Sequence, residues 1–116
     1  MGDNAVLIMV TTGGRDDAER LGEALVVERL AGCCSVVPTV HSVYYWEGNL
    51  KRGHEALLLV KTVESRAAAC QEYVRSHHDY ELPEILQVTI EGGSPAYLKW
   101  LADQVGLEPS DRELST

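Results

Sequence analysis

Residues 5–12, AVLIMVTT, make a short, nearly continuous apolar run, as expected of a strand buried on both faces. Gly13 and Gly14 interrupt it. A helix is predicted from Arg15 to Leu30. Asp16, Glu19, Arg20 and Glu23 recur at spacings of three and four on its polar side, while Ala18, Leu21, Ala24, Leu25 and Leu30 supply the buried side. Asp16 and Asp17 fall in the first turn, where the helix dipole favours anions. Gly32 is placed to end the segment. The following run, CCSVVPTVHSVYYWEG, is rich in Val, Thr, Tyr and Trp and reads as a long strand. Pro38 has no N–H for a ladder, so the strand is expected to be bulged or at an edge there. EGNLKRG reads as a hairpin connection using Gly48, Asn49 and Gly53, with HEALLLVKT as the returning strand.

A second helix is predicted from about Ser65 to Ser76, with Cys70, Tyr73, Val74 and His77 on one face. EILQVTIE then alternates Leu86, Val88 and Ile90 with Gln87, Thr89 and Glu91, the period of a strand. Ser94 and Pro95 start a third helix as cap and first residue. Tyr97, Trp100, Leu101 and Val105 form its apolar face, and Gly106 closes it. A polar tail follows over 107–116.

This order, β-α-β-β-α-β and then a helix, predicts one α+β domain over 1–116 with its core in 5–105. Its architecture is a ferredoxin-like sandwich of two helices on a four-stranded antiparallel sheet. Two helices cover only one sheet face. The strand at Ala56–Val60 and the Tyr44-Tyr45-Trp46 run are apolar on both, so a lone subunit would expose a large apolar patch. A homo-oligomer is therefore expected.

Composition narrows the partners. The chain has 116 residues, formal net charge −8 and no Phe, so aliphatic side chains must fill the core. That charge argues against a nucleic-acid partner, which needs clustered Lys and Arg. No apolar run is long enough to span a bilayer, and the N-terminus does not read as a secretory signal. Cys33, Cys34 and Cys70 are odd in number and lack a CxxC spacing, which fits reduced thiols in the cytoplasm better than disulfides or zinc.

Most glycine-containing turns here carry no catalytic signature; TTGGRDD lacks the Gly-Lys-Ser/Thr of a phosphate loop. RSHHDYELPE, residues 75–84, concentrates donors. It reads either as a site or as the punctuation between a helix and a strand. Adjacent residues diverge on helices and strands alike, so His77 and His78 are no chelate by themselves, and Cys33 with Cys34 cannot easily share one ion. His78 with Glu81 is the more plausible donor pair, with Tyr80 and Asp79 nearby. Pro83 pushes Leu82 into extended dihedrals and leads into the last strand.

Taken together, ERLAGCCSVVP, SVYYWEG, LLLVKT, SHHDYELPEI and YLKWL resemble the CutA divalent-cation-tolerance family from about Ala5 to Val105. The resemblance implies a ferredoxin-like homotrimer with edge strands extended between subunits and clefts at their junctions. It also implies a link to copper and other divalent-ion tolerance, with metal binding attributed to members, no settled enzymatic activity, and an architecture shared with trimeric PII-type signal proteins. Carried over, Cys33 matches the family cysteine, and Trp46, Glu47, Lys61, His78, Tyr80, Glu81 and Glu84 match its polar and aromatic cleft positions. The expected metal donors are His78 and Glu81, with Asp79 and Cys33. Trp46, Lys61, Tyr80 and Glu84 would line the ligand cleft. Asp79 stands where the family commonly has proline, and Val10 where some members offer a cysteine. The leading expectation is thus a trimeric, non-enzymatic metal-tolerance protein. The alternatives are a PII-like small-molecule sensor or unrecognised enzyme using inter-subunit clefts, and a purely structural trimer anchoring a partner.

Overall fold

The computed structural model describes residues 3–106, and the expected polar tail lies outside them. The elements are β1 (Ala5–Thr12), α1 (Arg15–Val27), β2 (Cys33–Trp46), β3 (Asn49–Val63), α2 (Glu64–Ser76), β4 (Ile85–Thr89) and α3 (Pro95–Val105). The sheet order is β2-β3-β1-β4 and every pairing is antiparallel, the topology expected of a ferredoxin-like sandwich.

Period-two alternation divides the sheet residues between two faces. Val6, Ile8 and Val10 of β1 and Ala56, Leu58 and Val60 of β3 are fully buried beneath the helices. Leu21 and Leu25 of α1 and Cys70 and Val74 of α2 close that layer. Helix α1 comes so close that a Cβ on Gly22 would stand 3.1 Å from both Cys34 Cβ and Leu58 Cδ1. Helix α1 stops at Val27, before the expected Leu30, because Arg29 takes a left-handed φ of 60°. The Leu30 and Ala31 amides fold back onto the Leu25 carbonyl. Buried Thr62 donates to the Leu30 carbonyl at 2.7 Å, so its hydroxyl is satisfied.

The β2–β3 hairpin differs from expectation. Its connection is not EGNLKRG but the two residues Glu47 and Gly48, at φ 52° and 81°. Positive φ at both central residues makes a type I′ turn, whose twist suits a tight hairpin. Strand β3 therefore begins at Asn49 and pairs out to Trp46↔Asn49. A register shift falls between Val37 and Val40, so Pro38 sits in a bulge as its missing N–H requires. The outer ribbon projects past the helices and stretches the molecule to 46 Å along its long axis.

The other sheet face is only partly covered. Leu7, Met9, Leu57, Leu59, Leu86 and Val88 share it by register, and Leu86 and Val88 are 52% and 44% exposed. Helix α3 lies against the end of this face nearest Cys33. Leu101 and Val105 are buried as expected, but Tyr97 and Trp100 remain well exposed. Ser94 caps α3, its Oγ accepting the Tyr97 amide at 3.3 Å.

Candidate functional site

The donor-rich segment becomes a turn, residues 77–84, between α2 and β4. His77 caps α2 and stacks on Tyr73 with ring centroids 4.0 Å apart, its Nδ1 placed 2.8 Å from the Tyr73 carbonyl. His78 instead reaches back to β1. Its Nε2 lies 2.6 Å from the Thr11 carbonyl oxygen, and its Nδ1 is 3.1 Å from the Tyr80 amide. A carbonyl only accepts and an amide only donates, so the proton belongs on Nε2 and Nδ1 is the acceptor. Both ring nitrogens are thereby spent on holding the turn.

That turn forms one wall of an open groove of about 760 Å³. Tyr80, Glu81 and Glu84 line it from the turn; Tyr44, Trp46, Lys51 and Glu55 line it from the hairpin. Tyr80 bridges the walls, its hydroxyl donating to Glu55 Oε2 at 2.8 Å. Of the expected cleft residues, the fold brings Trp46, Tyr80 and Glu84 together. It does not bring Lys61, whose ammonium bonds Ser35 Oγ at 2.7 Å and lies 3.7 Å from Cys33 Sγ. Lys61 is twelve residues along β3 from the Trp46↔Asn49 pair, or roughly 40 Å of extended strand. Tyr44, Lys51 and Glu55 were missed by sequence reasoning. The signal lay in the hairpin register, since a two-residue Glu47-Gly48 turn puts all three on the Trp46 side.

The expected metal donors are likewise divided. His78 offers no free nitrogen. Cys33 pairs with Lys61, whereas His78 is anchored where β1 pairs with Leu57, four residues away on β3. Among the described residues, no three His, Cys, Asp or Glu side chains converge as a metal site. Within this chain the expected quartet of His78, Asp79, Glu81 and Cys33 therefore does not come together around one copper or zinc ion.

The thiols follow their faces. Cys34 points toward α1 and Cys33 toward the open face, as their adjacency requires. Burial, with the neighbouring thiols adding to it, pushes Cys34 up to about 12; burial does the same for Cys70. Both stay protonated at neutral pH and are poor thiolate donors. All three cysteines are free.

Tyr80 is also displaced. Partial burial, reinforced by the bond to Glu55 and that carboxylate's charge, raises its phenol from 10.0 to about 12. The folded state thus favours the neutral phenol. Its contribution to stability is whole below pH 10 and is lost as pH rises through 12. Ultraviolet titration of Tyr80→Phe should lack a high-pH tyrosinate step, and Glu55→Gln should move that step down. A profile unchanged by both substitutions would mean the bridge is not made in solution.

No helix among the described residues is long and apolar enough to cross a membrane. Residues 6–104 match the family model described as CutA1 divalent ion tolerance protein. The chain is 38% identical over 97 residues to the chloroplastic protein CutA 1 of Oryza sativa, covering 84% of this chain and 55% of that protein. It is 35% identical over 97 residues to the divalent-cation tolerance protein CutA of Escherichia coli O139:H28, covering 84% and 87%. The crystal structure of CutA1 from Oryza sativa superposes with a TM-score of 0.85 at 36% identity, over 88% of this chain and 94% of that one. This chain spans only a little over half the length of the curated plant and animal relatives. With the sheet order, the hairpin and the family match in agreement, the chain belongs to the CutA1 divalent ion tolerance protein family.

Proposed function

We propose that this chain serves divalent-cation tolerance as a homotrimer, binding ions reversibly and catalysing no reaction. The observation that carries the reading is the apolar sheet face beside the groove, with Leu86 and Val88 about half exposed on the edge strand β4. Leaving such a face in water forfeits roughly 25 cal/mol per Å², and a second copy with the same strip can bury it. Assembly would also bring groups from a neighbour to the groove. Copper or zinc would meet Glu81 and Glu84 there, while His78 acts by holding the turn. Asp79 and Cys33 enter such a site only as a neighbour's contribution. Three free cysteines fit a reducing compartment such as the cytosol.

Mass by light scattering tests the assembly. The wild type should scatter as three chains, and Leu86→Glu with Val88→Glu as one, because both side chains are exposed within the subunit at the edge of the strip that a second copy would cover. A monomeric wild type would remove the proposal. Calorimetry with Cu²⁺ on Glu81→Gln with Glu84→Gln should show weakened groove binding.

The groove also supports a sensor of an anionic metabolite, favoured by aromatic walls at Tyr44, Trp46 and Tyr80 with a cation at Lys51. Lys61 would reach it only from another copy. Thermal stabilisation of metal-free protein by such a metabolite, blunted in Lys51→Ala, would support this reading; a silent screen would leave the ion as ligand.

A further inference from the structure

The geometry points to a second metal site, a bis-imidazole chelate for Cu²⁺ formed by His41 and His54 on the outer hairpin. These residues face each other across β2 and β3, where directly paired Cβ atoms lie about 4.5–5.5 Å apart. Their ring centroids are 4.4 Å apart, with the planes inclined at 66°. Two imidazoles bound at a right angle to one ion, with metal–nitrogen bonds of about 2.0–2.1 Å, bring their centroids to about 4.5 Å. The observed separation matches that of a cis pair, and the two exposed rings need only turn about their side-chain torsions to bring a nitrogen of each to one ion.

The chemistry of the neighbourhood agrees. His77 and His78 spend ring nitrogens on carbonyls and an amide, whereas neither the His41 nor the His54 ring nitrogens make a hydrogen bond among the described residues. Both are exposed, so water can complete the coordination sphere. The next pair on the same face is Val43↔Arg52, which places a cation, not a carboxylate, beside the site. Without a carboxylate there, the site lacks the oxygen donors that Mg²⁺ and Ca²⁺ favour. Imidazole nitrogen selects Cu²⁺ first among the divalent first-row ions. The site is independent of the groove, because Tyr44, Lys51 and Glu55 project from the opposite face of the ribbon.

Electron paramagnetic resonance of the full chain with Cu²⁺ alone tests this, read through nitrogen superhyperfine coupling. The wild type should show a copper signal coupled to two imidazole nitrogens. His41→Asn and His54→Asn should each abolish it, with loss of one bound ion per chain and an unchanged circular dichroism spectrum. Excess Mg²⁺ should not compete. The groove variant Glu81→Gln with Glu84→Gln should keep the signal, so failure of the groove reading and failure of this one are distinguishable. A two-nitrogen signal that survives both histidine substitutions, or one lost in the groove variant, would overturn the proposal.

Discussion

Leu58→Ala should lower the unfolding free energy by about 2–5 kcal/mol, the range for deleting a buried leucine and leaving a cavity. Leu58 is fully buried at the centre of β3, between Val10 of β1 and Val36 of β2. The core has no Phe whose larger ring might shift to fill the gap. A domain this size is stable by about 5–15 kcal/mol, so the loss is a large fraction of the total. Denaturant midpoints should be compared at one protein concentration, since assembly stabilises by mass action. The close approach at Gly22 gives a sharper test. Gly22→Ala alone sets the benefit of a better helix former, about 1 kcal/mol, against 3.1 Å contacts to Leu58 and Cys34. In the Leu58→Ala background one of those contacts is gone. The added alanine should then cost less, by a coupling of about 0.5–3 kcal/mol. Strict additivity would mean that α1 does not rest on Leu58.

The elements that read clearly from the chain are those where local chemistry and tertiary environment agree. The continuous apolar run at Ala5–Thr12 matches a central strand, and the Ser94-Pro95 cap marks the start of α3. Pro38 announced its bulge because no partner can replace its missing N–H. The hairpin turn was misplaced for a physical reason too. Asn49 and Gly53 look like turn residues, whereas Glu47 is a poor candidate for the left-handed region it occupies. Out on a ribbon exposed on both faces, no alternation of polar and apolar residues corrects that reading. The donor-rich run 75–84 was legible as a turn, but His78 satisfies itself on the carbonyl of Thr11, 67 residues earlier. Backbone acceptors carry no sequence signature, so a candidate ligand proved to be a brace. Conversely, the His41↔His54 pairing depends on strand register and appears only once the turn is fixed.

Gly32→Val should detach α3 from the sheet while leaving the helical layer folded, at a cost of about 3 kcal/mol. A Cβ at this position would stand 2.6 Å from Leu101 Cδ1 and 3.1 Å from the Leu101 carbonyl oxygen. Leucine tips often yield, but Leu101 is fully buried and its carbonyl belongs to the helix backbone. Nor can Gly32 itself retreat easily, because its amide donates to the Lys61 carbonyl at 2.9 Å. The strain must therefore move α3. The remaining tethers are weak enough to lose: Arg29 reaches Gln104 at 3.3 Å, and Arg66 Nη2 holds the Val105 carbonyl at 2.8 Å. Hydrogen exchange should show α3 amides losing protection well ahead of β1 and β3. Burial, with the neighbouring Cys33 adding to it, now raises the Tyr97 phenol; with α3 gone, Cys33 loses that cover and should become quicker to alkylate. Leu101→Ala added to Gly32→Val should rescue only part of the loss, since the backbone contact persists. Full rescue would show that the leucine tip alone sets the distance, and unchanged exchange in α3 would show that Gly32 does not position it.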